Sequence, residues 1–324
     1  MKKIILAMLV ISLLFITVAC GSDESDDNEI SIGYFPNLSH GPAMVGIEKG
    51  FIEDELKDNS IETMNFPNGS LFMDALSTGQ IDLGYVGPGP ALNRYLQGGE
   101  VVLIGNSSKG ENVLIARKDA DINSIKDLEG KVVATPSTGC THDLLFRKML
   151  KENGMATEEN GGKVKRIPQK PATMIGLFQQ KQIDAAVVSE PWASMMESEG
   201  IVKVIKEANE VPWEGKLPAT VLVASKDFVD SNSKALESFL NAHGKSIDFI
   251  NNNREETIDI IGKQIKEITN QEIDKGIIKN SLARVTFDST VDKNILQEFA
   301  DLSKELGFIE GSSDLSELFW DNLE

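Results

Sequence analysis

The 324-residue sequence is short of cysteine, histidine and positive charge. Its two cysteines, Cys20 and Cys140, exclude a disulfide framework, so stability must come from the core. Thirty-two Lys and Arg face fifty Asp and Glu, and the formal charge of −18 opposes nucleic acid as a partner. No Gly-x-x-x-x-Gly-Lys-Ser/Thr occurs, which excludes that nucleotide-binding loop. Nor does a nucleophile stand with a base and an orienting group at readable spacing, so no catalytic residues are assigned. The uncharged run Ile4–Ala19 is too short for a membrane-spanning helix, which needs ~20 residues.

That run does have the form of an export signal. Lys2 and Lys3 precede it and the small residue Ala19 ends it, so residues 1–19 read as a cleaved leader. An uncleaved anchor is the alternative. Thr17-Val18-Ala19-Cys20 resembles a bacterial lipoprotein cleavage site, with Thr17 where Leu is usual. The resemblance implies lipidation of Cys20 and a place on the extracellular face of the cell membrane. Residues 20–28, acidic and polar, would form a flexible tether.

An internal repeat organises the rest. Gln80-Ile81-Asp82-Leu83-Gly84-Tyr85-Val86 is echoed 102 residues later by Gln182-Ile183-Asp184-Ala185-Ala186-Val187-Val188. The same offset pairs Ser39-His40 with Thr141-His142, each following a strand-like run and a proline and opening a helix-like run. Ser and Thr suit that position because the hydroxyl accepts an unpaired helix N–H.

Apolar runs rich in β-branched residues predict strands at Ile30–Phe35, Ile61–Phe66, Ile81–Val86, Val101–Gly105, Val113–Ala116, Val132–Thr135, Val164–Ile167, Ala185–Ser189 and Thr220–Ala224. Helices alternate with them, which predicts an α/β architecture of two lobes, each a mainly parallel sheet flanked by helices. The expected division is 29–115 for the first part of lobe 1, 116–215 for lobe 2, and 216–324 for a return to lobe 1. From Leu236 to Ile268 apolar residues recur at helical spacing, and His243 on that stripe reads as core.

Ligands of open α/β sheets bind beyond the carboxyl ends of the strands. That rule selects the loops Tyr34–His40, Pro67–Ser70, Gly87–Pro90, Pro136–His142 and Glu190–Trp192. They are small, polar, free of Arg and Lys, and most lead into helices, whose N-termini suit anions. His40 and His142 are candidate donors across the cleft; otherwise each is a local cap or a solvated loop residue. Cys140 precedes a helix, where a thiol can become reactive. With His40, His142 and Glu190 it makes a conceivable metal set, but Cys-x-His is no diagnostic zinc spacing, and a polar wall residue is preferred. Trp192 is read as stacking on a solute or packing at a hinge, Glu190 as an acceptor for an amine or a cap with Pro191 at the helix start.

Ile32-Gly33-Tyr34-Phe35-Pro36-Asn37, Glu48-Lys49-Gly50-Phe51-Ile52-Glu53, Ala75-Leu76-Ser77-Thr78-Gly79-Gln80-Ile81-Asp82, Ala134-Thr135-Pro136, Ser189-Glu190-Pro191-Trp192-Ala193 and Ser225-Lys226-Asp227-Phe228 occur in that order. Together they resemble the nitrate/sulfonate/taurine solute-binding proteins. The resemblance implies a type II periplasmic-binding fold that closes on a hinge around a small oxyanion. It also implies a monomer without cofactor that delivers its solute to an ABC permease and its ATPase. Family pocket positions fall on Asn37, Ser39, Ser70, Gly87, Thr138, Thr141 and Glu190. Cys140-Thr141-His142-Asp143 departs from the Asn-Thr-Gln-Asp usual in sulfonate binders.

Three rival readings follow. An importer protein for a thiamine-pyrimidine precursor would use Tyr34, Trp192 and Glu190 around a flat amino-bearing ring. A thiamine-pyrimidine-synthase-like enzyme would need a cysteine-rich iron segment, and a leaderless mature chain here holds one cysteine besides Cys20. A solute sensor would signal to a membrane receptor.

Overall fold

The computed structural model describes residues 28–323; the leader, Cys20 and the tether up to residue 27 lie outside the described residues. The strands are β1 (Glu29–Tyr34), β2 (Ser60–Asn65), β3 (Leu83–Val86), β4 (Val101–Gly110), β5 (Val113–Arg117), β6 (Val132–Thr135), β7 (Lys165–Pro168), β8 (Ala185–Val188), β9 (Val202–Lys206), β10 (Pro218–Ser225) and β11 (Val285–Phe287). They form two sheets, ordered β11-β4-β10-β3-β1-β2 and β7-β6-β8-β5-β9.

The two sheets share one plan. In the first, β1 lies parallel between β2 and β3, and β10 runs antiparallel between β3 and β4. In the second, β6 lies parallel between β7 and β8, and β5 runs antiparallel between β8 and β9. Each sheet therefore receives one strand whose chain has just left the other sheet, and that strand enters reversed. This is the type II periplasmic-binding arrangement. Each sheet was expected to be mainly parallel; parallel pairing occupies the three-strand side of each, because the strand that returns from the opposite lobe enters from the other end.

The sequence repeat has a structural job. Asp82 Oδ2 accepts the Ser31 N–H at 2.8 Å, and Asp184 Oδ2 accepts the Val132 N–H at 2.9 Å. The backbone carbonyls of the same aspartates accept from Ser225 and Arg117, where β10 and β5 meet their sheets. Each Gln-Ile-Asp turn thus fastens the central strand and the crossing strand together.

The core follows the apolar periodicity. Leu236, Phe239, Ile247 and Ile250, on one face of the helix Ser233–Asn252, are buried against the first sheet with Met44 and Tyr85. His243 lies on that face and is core, its ring nitrogens 3.1 Å from Tyr85 Oη and 2.9 Å from the Asn106 carbonyl. The helix Lys293–Glu305 straddles the two lobes: Leu296 and Phe299 share a cluster with Leu92 of the first and Leu144 and Met149 of the second. Strands β9 and β11 were not expected. Both are edge strands, and in β9 Lys203 and Lys206 interrupt the apolar run, as suits an exposed edge. Among the described residues no helix is long and apolar enough to cross a membrane.

Candidate functional site

Between the sheets, beyond the carboxyl ends of β1, β2, β3, β6, β7 and β8, lies a cavity of about 800 Å3. Five helices begin at its wall. Their capping residues His40, Asn68, Gly87, Cys140 and Lys170 all line it, ahead of helices Gly41–Glu48, Gly69–Ser77, Pro88–Leu96, Thr141–Glu152 and Pro171–Gln179. The loops are short because each must turn a strand end directly into a helix. The helix dipole adds partial positive charge at each, while free N–H groups remain only where no proline or protein acceptor intervenes: Pro42, Pro88, Pro90 and Pro171 have none, and the Gly89 N–H is taken by Thr141 Oγ1. An anion in the cavity meets this from both sides.

Of the predicted residues, Asn37, Ser39, His40, Gly87, Cys140, Thr141, His142 and Trp192 line the cavity. Four are placed elsewhere. Tyr34 is buried beneath the loop it opens, and Ser70 and Thr138 face solvent outside the cavity. Glu190 is fully buried and committed to protein partners: its carboxylate accepts from Ser194 N–H and hydroxyl at 3.1 Å and from Arg284 Nη1 at 2.7 Å. Neither oxygen is left for an amine, and the cap at this helix start is the better description of its role.

The paired hydroxyls do not cap their helices either. Ser39 lies beside the Glu111 carboxyl, whereas Thr141 Oγ1 accepts the Gly89 N–H at 3.1 Å from the opposite lobe. Asn93 Nδ2 donates to the Gly139 carbonyl at 3.1 Å beside it. These bonds hold the lobes together along one side of the cleft. Gly87 and Gly89 make the approach possible. A Cβ on Gly89 would stand 2.7 Å from Thr141 N, and one on Gly87 would stand 2.8 Å from Thr141 Oγ1.

The histidines are neutral donors. Burial pushes His40 down to about 3 and His142 down to about 4. The Phe35 N–H donates to His40 Nδ1 at 3.3 Å, which leaves the proton on Nε2. His142 Nε2 is enclosed without a partner. Cys140 is buried; desolvation first, and then the charge of Asp143, push its thiol up, so it is a wall residue rather than a reactive thiolate. Among the described residues no His, Cys, Asp and Glu cluster could hold a metal ion.

Asp143 supports this wall. It is fully buried, accepts the Gly139 N–H at 2.8 Å, and pairs with Arg147 at 3.2 Å and Arg166 at 3.5 Å. Those arginines therefore hold the loop rather than a solute.

Two charged lining residues were missed. Lys170 ends the loop after β7, a loop that the strand-end rule also selects; among the described residues lining the cavity it is the single lysine or arginine. Glu111 sits at the crossing from β4 to β5, in the left-handed region at φ 59°. Gly110-Glu111-Asn112 reads as an ordinary polar turn, so nothing in the sequence separates this acid from a solvated one. Phe35 and Phe66 add an apolar wall, each edge-on to the buried Phe72 at 5.9 and 5.4 Å.

Comparison with known proteins agrees with this geometry. A protein of Escherichia coli (strain K12) named for binding aliphatic sulfonates is 25% identical over 239 residues, 73% of this chain and 71% of that one. The alkanesulfonate-binding protein SsuA of Xanthomonas axonopodis pv. citri, solved bound to MOPS, superposes with a TM-score of 0.77 at 17% identity, covering 90% of this chain and 98% of that one. The periplasmic nitrate-binding protein NrtA of Synechocystis PCC 6803 superposes with a TM-score of 0.73 at 18% identity, covering 88% and 83%. The sequence model of the NMT1-like family matches residues 23–265, most of the chain, and the chain belongs to that family.

Proposed function

We propose that this chain is the extracytoplasmic solute-binding component of an ABC importer and that it captures an organic oxyanion, an aliphatic sulfonate foremost. The observation that supports this most is the convergence of five helix N-termini on one cavity. The neutral His40 and His142 add N–H donors, and Lys170 adds positive charge at the rim. A sulfonate would be bound by many donors whose positions are fixed before it arrives, which limits the ordering cost. The size of the cavity and its Phe35 and Phe66 wall favour an organic solute over a bare inorganic ion, since small-molecule sites run to ~300–1,000 Å3 with mostly apolar walls.

The mechanism is a clamp. The division falls a little before the expected 115/116, since β4 ends at Gly110 in the first sheet and β5 starts at Val113 in the second: residues 29–110 with 216–324 form one lobe and 113–215 the other. Each provides half of the donors, so binding shifts the equilibrium toward closure. The closed form is what a permease with its ATPase would recognise, and a lipid on Cys20 would hold a monomer at the outer face of the cell membrane. Glu111 gives a second reading specific support: a flat aminopyrimidine could meet the free oxygen of that acid.

Calorimetric titration of the Ser39→Ala/Thr141→Ala variant tests the site. Sulfonate affinity is expected to fall about tenfold or more, with a native circular-dichroism spectrum. Unchanged affinity would overturn the assignment.

A further inference from the structure

Glu111 is the acid of the cavity, and the oxyanion reading gives it no work. It is 2% exposed, yet it lines the cavity. Ser39 lies beside its carboxyl, but Oε2 has no partner at all. Among the described residues no lysine or arginine forms an ion pair with it; the charge it senses is Glu190, of its own sign. A buried carboxyl oxygen without a donor is costly, and a polar side chain of the same shape without charge would serve an anion better. The backbone of the residue is held by the Arg284 carbonyl, which accepts the Glu111 N–H at 2.8 Å.

We propose that Glu111 is a specificity-determining residue whose free oxygen accepts a hydrogen bond from a positively charged amino group of the solute. This rests on the oxyanion reading and narrows it: the solute is zwitterionic, its oxyanion end at the helix N-termini and its amino end at the β4–β5 crossing. The arrangement is chemically consistent. In the empty cleft burial pushes Glu111 up to about 8, so near neutrality the acid keeps its proton and the site avoids a bare buried charge. An ammonium group supplies both the missing donor and the missing positive charge.

Calorimetric titration of the full mature chain with taurine, ethanesulfonate and an aminopyrimidine tests this. Taurine and ethanesulfonate differ by the amino group alone. The wild type is expected to bind taurine at least about tenfold more tightly than ethanesulfonate, and Glu111→Gln to erase that ratio. The wild-type comparison decides the point even if the variant fails to fold. Equal affinities in the wild type, or a taurine preference that survives in Glu111→Gln, overturn the role of Glu111 and leave the oxyanion reading standing. If neither sulfonate binds but the aminopyrimidine binds through Glu111, the oxyanion reading fails and the amino-group contact stands. Binding of none of the three overturns both.

Discussion

The Gly89 N–H donates to Thr141 Oγ1 at 3.1 Å, and this bond joins the N-termini of two helices that belong to opposite lobes. A residue that sequence alone assigns to a helix cap thus works as a latch between the halves of the cleft. The latch depends on how closely two backbones approach, and that closeness depends on glycine.

Gly89→Ala is therefore expected to hold the lobes apart. The new Cβ would meet the backbone at Thr141 N and Cys140 C, 2.7 and 3.0 Å away, and backbone cannot rotate aside. Small-angle scattering should show a larger radius of gyration, and solute affinity should fall about tenfold or more. An unchanged radius and affinity would contradict the latch.

Arg284 ties the return segment to the second lobe through three carboxylates. Its guanidinium is 2.7 Å from Glu190, 2.6 Å from Glu197 and 2.7 Å from Glu207. Burial opposes the arginine's charge, but the bonds to Glu207, Glu197 and Glu190 outweigh it and hold its pKa above the ordinary value. Arg284→Met leaves the fully buried Glu190 without its cation, which costs ~3–5 kcal/mol for a buried pair. Chemical denaturation should show a loss of that order, and a loss below ~1 kcal/mol would mean that the pair is dispensable.

Stability should pass through a maximum with pH. Burial lowers His40, His142 and His243 from 6.5 to about 3, about 4 and about 4, so as pH falls below 6.5 the unfolded chain takes up protons that the native state refuses. Stability is lost on that side. Glu111 acts oppositely: it is raised from 4.5 to about 8, so its contribution is full below 4.5 and is lost as pH rises through about 8. Melting temperatures should rise with pH toward about 6.5 and fall from there to about 8, and Glu111→Gln should flatten that fall while steepening the acid limb. An alkaline limb unaltered in that variant would contradict a buried, protonated Glu111.

Lys170 sits exposed at the rim, so its effect should be modest and salt-sensitive. Lys170→Gln is expected to weaken oxyanion binding about two- to fivefold at low salt, with the difference shrinking at 0.5 M salt. A loss that ignores salt would point to a direct, desolvated contact instead.

Much of this was legible in the sequence, for identifiable reasons. The Gln-Ile-Asp repeats, Asp82 and Asp184, use local turn geometry that recurs wherever the same strand joint is built, so the offset between them exposed the two-lobed plan. Strand-end loops announced the cavity because glycine, proline and small polar residues are needed to turn a strand into a helix at once. Partners distant in sequence were not legible. Glu190 and Arg284 lie 94 residues apart, and no local pattern tells a ligand carboxylate from one committed to an ion pair. Glu111 hid in a turn, since its burial arises only when Ser39 and the second lobe close over it. Edge strands such as β9 hid because lysines that protect an edge also erase the apolar run.

Thermal melting of residues 29–324 against ethanesulfonate, longer alkanesulfonates, taurine, nitrate, bicarbonate, an aminopyrimidine and divalent metals tests the central claim most directly. A solute at 100 times its dissociation constant stabilises the native state by ~2.7 kcal/mol, a shift well within reach. The account predicts a clear rise with sulfonates, and none with divalent metals. A rise with the aminopyrimidine or a metal and none with any oxyanion would contradict it.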